Sequence, residues 1–227
     1  SDLMEEYNLK GAPPLKELPV PPPLSAHGVA KARDAGAVLV DLRSPEAFAG
    51  AFVPDSLAIP LDMLPGYAGY LLDYDTDLVF IAESDADIHV GVRYLLRMGY
   101  DRFSGYLKGG VHAWEVTGRP FDRIGAVHAS TLQQRMDNNE DFTLVDVRKV
   151  TEVEEGRLPN STHIFLGELQ DRLDELDNSK PVVTFCGSGR RALIAAAILK
   201  RHGFKQVEDS LGSMAACEEL GCRIERD

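Results

Sequence analysis

The amino-acid sequence predicts an α/β protein made of two tandem domains of one fold, each a central, mainly parallel sheet with helices on both faces. Two observations carry this expectation. The chain contains itself twice: Leu39-Val40-Asp41-Leu42-Arg43 returns 105 residues later as Leu144-Val145-Asp146-Val147-Arg148. Pro54, Ser56 and Ser25 return at the same spacing as Pro159, Ser161 and Ser130, while Gly109 and Gly118 return as Gly212 and Gly221 at a spacing of 103. A unit of this length is too long for a solenoid repeat and suits a whole domain. Short apolar runs, such as Ala37-Val38-Leu39-Val40 and Leu78-Val79-Phe80-Ile81, also alternate with helical patterns. That alternation points to strands laid parallel by helical crossovers.

Taken in order, residues 1–23 read as a proline-rich linker, with Pro13-Pro14 and a run from Pro19 to Pro23 that has little to bury. The domains follow as 24–123 and 124–227. Each opens with a hydroxyl residue able to cap a short helix, Ser25 or Ser130, ahead of a buried strand. In the second copy Leu166, Leu169, Leu173 and Leu176 share one helical face. Val182 to Phe185 reads as a central strand, so Cys186 lies just past its C-terminal end, the edge where open α/β sheets place their sites. The next helix turns Leu193, Ile194, Ala197 and Ile198 to the core. It carries Lys200, Arg201 and His202 in its last turn and stops at Gly203.

Composition excludes several classes. Apolar residues make up 44% and charged residues 26% of the chain, which fits an ordinary protein with a sizeable core. A formal charge of −12 argues against nucleic acid or anionic membranes as partners, and any anionic substrate must be attracted locally. Eight residues, Ala192 to Leu199, form the longest apolar run, far short of a membrane span. Three cysteines make no disulfide framework and fit a reducing, cytoplasmic setting.

The chemistry concentrates in Cys186-Gly187-Ser188-Gly189-Arg190-Arg191, a thiol followed by a short glycine-bearing loop, two arginines and a helix. Such a loop turns N–H groups inward and holds an anion on or beside the sulfur. The helix N-terminus, the loop amides, Arg190 and Arg191 all favour the thiolate. Gly187 and Gly189 let the backbone approach closely, and Ser188 adds a hydroxyl. Cys217 reads as a core residue at the place of Trp114 in the first copy, and Cys222, in the place of Arg119, has no evident partner. The first copy has no cysteine, and its loop Ile81-Ala82-Glu83-Ser84-Asp85-Ala86-Asp87 replaces the arginines by acids. Glu83, Asp85, Asp87 and His89 suggest a metal site less than they suggest a solvated helix start. The repeated pairs Asp41/Arg43 and Asp146/Arg148 occur in both copies and so read as structural. No histidine cluster supports a metal, and no cofactor is expected.

On these motifs each copy resembles a rhodanese domain. The second carries Asp146-x-Arg148, Gly156-Arg157-Leu158-Pro159-Asn160-Ser161 and the Cys186 to Arg191 loop. The first carries Asp41-x-Arg43, Val53-Pro54-Asp55-Ser56 and Gly109-Gly110-Val111-His112-Ala113-Trp114. The resemblance implies a sulfurtransferase in which Cys186 cycles between thiolate and persulfide. Four residues between Cys186 and Arg191 favour sulfur transfer over the related phosphatases, whose loops are one residue longer. The implied partners are a small anionic sulfur donor, thiosulfate or a low-molecular-weight persulfide, and a thiol, sulfite or cyanide acceptor. Tyr7-Asn8-Leu9-Lys10-Gly11, with its prolines, is similar to the junction in metallo-β-lactamase–rhodanese fusions of the persulfide dioxygenase kind. This implies a fragment whose partner is a metallo-β-lactamase-fold domain. The rival expectation is a non-catalytic persulfide carrier or docking module, and a weaker one is a phosphatase or arsenate reductase.

Overall fold

The structure, a computed structural model, describes residues 19–227. The resemblance to a fusion junction at residues 7–11, and most of the linker expectation, lie outside the described residues. Two compact units divide between Asp122 and Arg123. The strands of the first are β1 (Pro23–Leu24), β2 (Val38–Asp41), β3 (Leu57–Ala58), β4 (Leu78–Ile81) and β5 (Phe103–Leu107). Those of the second are β6 (Gly125–Val127), β7 (Thr143–Asp146), β8 (Thr162–His163), β9 (Val182–Phe185) and β10 (Val207–Ser210). The sheet orders, β1-β5-β4-β2-β3 and β6-β10-β9-β7-β8, are one topology written twice, and every strand pair is parallel. β4 and β9 lie at the centre and are buried at every residue, as sheets covered on both faces require.

Helices α1 (Ala26–Asp34), α2 (Pro45–Gly50), α3 (Leu64–Leu71), α4 (Asp85–Met98) and α5 (Gly110–Glu115) flank the first sheet. Helices α6 (Ala129–Asp137), α7 (Val150–Glu155), α8 (Arg190–Arg201) and α9 (Ser213–Leu220) flank the second. Among the described residues no helix is long and apolar enough to cross a membrane. Ala192 through Leu199 of α8 are all fully buried, so this helix is enclosed on every side, not on one face. Thr184 Oγ1 donates to Ala192 O at 2.7 Å and ties α8 to the strand before it.

Three expectations change in detail. The proline run ends inside the sheet: Pro23 belongs to β1, and Tyr106 N–H donates to Pro22 O at 3.0 Å. Proline is tolerated there because an edge strand has no partner for the missing N–H on its outer side. Ser25 caps α1 by accepting the Gly28 N–H, but Ser130 is no cap. α6 starts at Ala129 with His128 as its cap residue, so Ser130 lies inside the helix. The spacing between copies is 103 residues for these first helices and 105 for β2 and β7, and the serine match falls between the two registers. The leucine stretch forms two 3₁₀ segments, Leu166–Asp171 and Leu173–Glu175, broken at Arg172. Three residues per turn put Leu166 and Leu169 on one side, where both are buried.

The Asp-x-Arg pairs hold both sheets in the same way. Arg148 Nε lies 2.9 Å from Asp146 Oδ1, and its terminal nitrogen Nη2 lies 2.7 Å from Asp146 Oδ2. The guanidinium also donates to Glu152 O and Gly156 O, which fastens α7 to the end of β7. In the first unit Arg43 repeats this with Asp41, Ala47 O and Ala51 O. All four side chains are buried. Replacing Asp146 by Ala leaves a buried guanidinium without its counter-charge, so urea denaturation should show a loss on the order of 3–5 kcal/mol. Asp41→Ala should fall in the same range, because its bonding pattern is the same.

Candidate active site

β9 delivers Cys186 to the C-terminal edge of the second sheet, between β10 and β7 in the strand order. Asp146 pairs in register with Phe185, so the buried Asp146/Arg148 pair stands next to the start of the loop. Cys186 is fully buried. Its Sγ accepts the Gly189 N–H at 3.0 Å and the Ala192 N–H at 3.3 Å. These are donors that open α8, and a helix start leaves such donors without intrahelical partners. The cap residue is Gly189, which has no side chain to offer them and takes a φ of 105°. That left-handed turn is open to glycine at no steric cost, and it points the amides at the sulfur. The first unit solves the same problem with oxygen: Ser84 caps α4 and its Oγ accepts the Asp87 N–H at 3.3 Å.

The backbone of Cys186 is held from the start of α9. Its N–H donates to Ser213 Oγ at 3.0 Å, and that hydroxyl donates onward to Ser210 O at 2.9 Å. Met214 N–H and Ala215 N–H donate to the carbonyls of Cys186 and Gly187. α9 thus braces the loop from one side.

Arg191 departs from the expectation that both arginines face an anion. Its guanidinium pairs in a forked geometry with Glu152, at 2.7 and 2.8 Å. A Cβ placed on Gly187 would stand 2.9 Å from Arg191 Nη2, so the guanidinium packs against the loop backbone. Arg191 holds the Glu152 carboxyl down to about 2 from an ordinary 4.5, with the Lys149 N–H adding to the effect. Arg190 and Ser188 are exposed at the mouth of the loop. Asp146 and Arg148 sit behind it and do not enter it.

The sequence reading missed Ser213 and Glu152. For Glu152 a signal existed: the matching residue in the first copy is Ala47, so an acid appears in the copy that also holds the cysteine and the arginine. Ser213 follows a glycine and had no such mark. Cys217 and Cys222 are both buried in the core of the second unit. The Cys222 thiol neighbours that of Cys217, and the Cys222 N–H donates to Cys217 O at 2.9 Å where α9 ends. Burial first, and then the neighbouring Cys222 thiol, push the Cys217 thiol well above its ordinary value. That disfavours a reactive thiolate there. Asp85 and Asp87 of the first unit sit in the first turn of α4, the expected place for acids at a helix start.

A parallel α/β sheet with a thiol at its C-terminal edge, caged by the amides of a helix start, defines a class of cysteine-loop α/β domains. The chain belongs to the rhodanese-like domain family, whose sequence profile matches residues 25–117 and again 128–219. The candidate sulfur carrier protein YrkF of Bacillus subtilis (strain 168) is 35% identical over 100 residues, which cover 44% of this chain and 52% of YrkF. The chain thus spans about half the length of that relative. The candidate sulfurtransferase YtwF of the same organism is 34% identical over 92 residues, 40% of this chain and 89% of its own. A sulfurtransferase of Allochromatium vinosum is 29% identical over 101 residues, 44% of this chain and 94% of its own. Each match is about one domain long.

Glu152 yields a pH test. Its carboxyl is depressed in the folded state, so the stability from its pairing is complete above about 4.5 and is lost as pH falls towards about 2. The difference in urea midpoint between the parent and Glu152→Gln should be constant above that window and shrink through it. A difference that stays flat to the acid end would refute the pairing.

Proposed function

We propose that the second unit is a sulfurtransferase and that Cys186 carries the sulfur. The observation that supports this best is the pair of N–H groups, from Gly189 and Ala192, aimed at Cys186 Sγ. Relatives named for sulfur transfer and sulfur carriage agree with it. Amides at a helix start stabilise negative charge on the atom that they face. They therefore serve the thiolate, and they remain beside the outer sulfur once a persulfide has formed.

The reaction is a double displacement. The Cys186 thiolate attacks the outer sulfur of thiosulfate, a new S–S bond forms, and the old S–S bond breaks with its electron pair on the departing sulfite. A low-molecular-weight persulfide reacts in the same way and releases its thiolate. An acceptor nucleophile, a thiol, sulfite or cyanide, then attacks the outer sulfur of the enzyme persulfide and returns Cys186 to thiolate. No external oxidant or reductant is consumed. Glu152 and Arg191 position the loop, with Gly187 packed against the guanidinium.

The second reading, a persulfide carrier, is favoured by the name of YrkF and by the full burial of Cys186. It keeps the first half-reaction and gives the second to a protein partner, such as a metallo-β-lactamase-fold domain. Intact mass after brief exposure to thiosulfate or glutathione persulfide should show a gain of one sulfur in the parent and none in Cys186→Ser. Cyanide should then remove it. No gain from either donor, in folded protein, overturns sulfur transfer; a gain that no small acceptor discharges selects the carrier.

A further inference from the structure

Beside the loop, bordered by Gly187, the second unit has a cleft of about 240 Å³. That is below the roughly 300–1,000 Å³ of sites for drug-sized ligands, so its occupant is smaller. Gly187, the residue after Cys186, forms part of its wall, together with Met214, Ile224, Glu155, Glu218 and Arg226. Arg148 and Glu152 also border it, but their charges are matched by Asp146 and Arg191. Among the described residues, Glu155, Glu218 and Arg226 make no ion pair or side-chain hydrogen bond. The cleft therefore presents two unmatched carboxylates and one unmatched guanidinium around an apolar wall.

The placement of Arg226 is built into the chain. Arg157 and Glu225 exchange N–H···O bonds of 2.9 and 2.7 Å, which lays residues 224–226 across Gly156. Ile224 and Arg226, two apart on this extended segment, then face the same way. A Cβ at Gly156 would stand 3.0 Å from Ile224 Cγ2 and 3.7 Å from Arg226 Nε, so the glycine permits the close approach.

We propose that this cleft is the acceptor subsite and takes a zwitterionic low-molecular-weight thiol, an amino-acid or short-peptide thiol with both an ammonium and a carboxylate. The inference rests on the sulfurtransferase reading of Cys186. The ammonium lies against Glu155 and Glu218, the carboxylate against Arg226, and the methylene and sulfur against Met214 and Ile224. The acceptor R–SH attacks the outer sulfur of Cys186–S–S⁻. The bond to Sγ breaks with its electron pair left on Sγ, giving R–S–SH and the Cys186 thiolate, with atoms and charge conserved. A pure dianion meets two carboxylates for one guanidinium and is disfavoured here.

The test discharges the thiosulfate-loaded protein with cysteine, cysteamine, 3-mercaptopropionate and cyanide. Cysteine should show the lowest KM of the three thiols. Arg226→Ala should raise the KM for cysteine and 3-mercaptopropionate by about two- to fivefold, the range of exposed ion pairs, and leave that for cysteamine in place. Arg226→Lys should recover most of the loss. Glu155→Gln with Glu218→Gln should instead penalise cysteine and cysteamine. Equal KM values for the three thiols, or a uniform response to Arg226→Ala while cyanide still discharges the persulfide, overturns the subsite alone. Absence of any persulfide overturns the functional reading. S-methylcysteine, which cannot react, then decides the cleft: saturable shifts of the Met214 and Ile224 methyl resonances, weakened in Arg226→Ala, support it, and unmoved resonances refute it.

Discussion

The first amides of a helix need an acceptor, and in the second unit the nearest one is a sulfur atom. Gly189 opens α8 without a side chain, so Cys186 Sγ receives the N–H groups that a capping oxygen takes elsewhere. The other features of the loop follow from this contact. β9 must end where the sulfur can reach, and Thr184 ties the strand to α8. Ser213 accepts the Cys186 N–H and so fixes the backbone that carries the sulfur. The thiol thus closes a structural gap at the start of α8. On the proposed sulfur-transfer reading, the same hydrogen bonds serve both the fold and the chemistry.

The charges around the loop are arranged to keep that contact dominant. Arg191 is bound by Glu152 at both ends of its fork, so its charge is largely matched and its plane supports Gly187. What faces the sulfur directly is a pair of neutral amides, those of Gly189 and Ala192. Partial charges of this kind act over the first turn of a helix and little beyond. In a chain of formal charge −12, such a short-range device attracts negative charge at one atom while the molecule as a whole repels it.

Much of this was legible in the sequence, for definable reasons. The repeat and the apolar runs of β4 and β9 announced parallel sheets, because strands buried on both faces are apolar throughout. Cys186 stood out because a glycine-bearing loop, arginines and a helix follow it. The two-register spacing hid the true start of α6, since a two-residue shift placed Ser130 opposite Ser25 by accident. The leucine stretch misled because spacings of three and four fit either an α-helix or consecutive 3₁₀ turns. The Glu152–Arg191 pair joins residues 39 apart, and no local pattern reports such a contact. Arg226 is further hidden, because its place depends on a bridge between Arg157 and Glu225.

The first unit shows what the cysteine alone would not provide. Ala82 follows β4 as Cys186 follows β9, and the backbone runs on to a helix in both. There, however, Ser84 already fills the role of the sulfur by taking the Asp87 N–H, and Asp85 and Asp87 fill the first turn with negative charge. Position 47 is alanine, so an arginine in that loop would lack the carboxylate that braces Arg191. The Asp41/Arg43 strap persists regardless, since it secures the sheet in either case. The two units therefore differ as linked sets of residues: a glycine cap, a thiol, a braced arginine and a hydroxyl under the loop in one, a serine cap with acids in the other. A thiol can take up the first amides of a helix when that helix has been left without a side-chain cap, and the proposed chemistry of Cys186 depends on that missing cap.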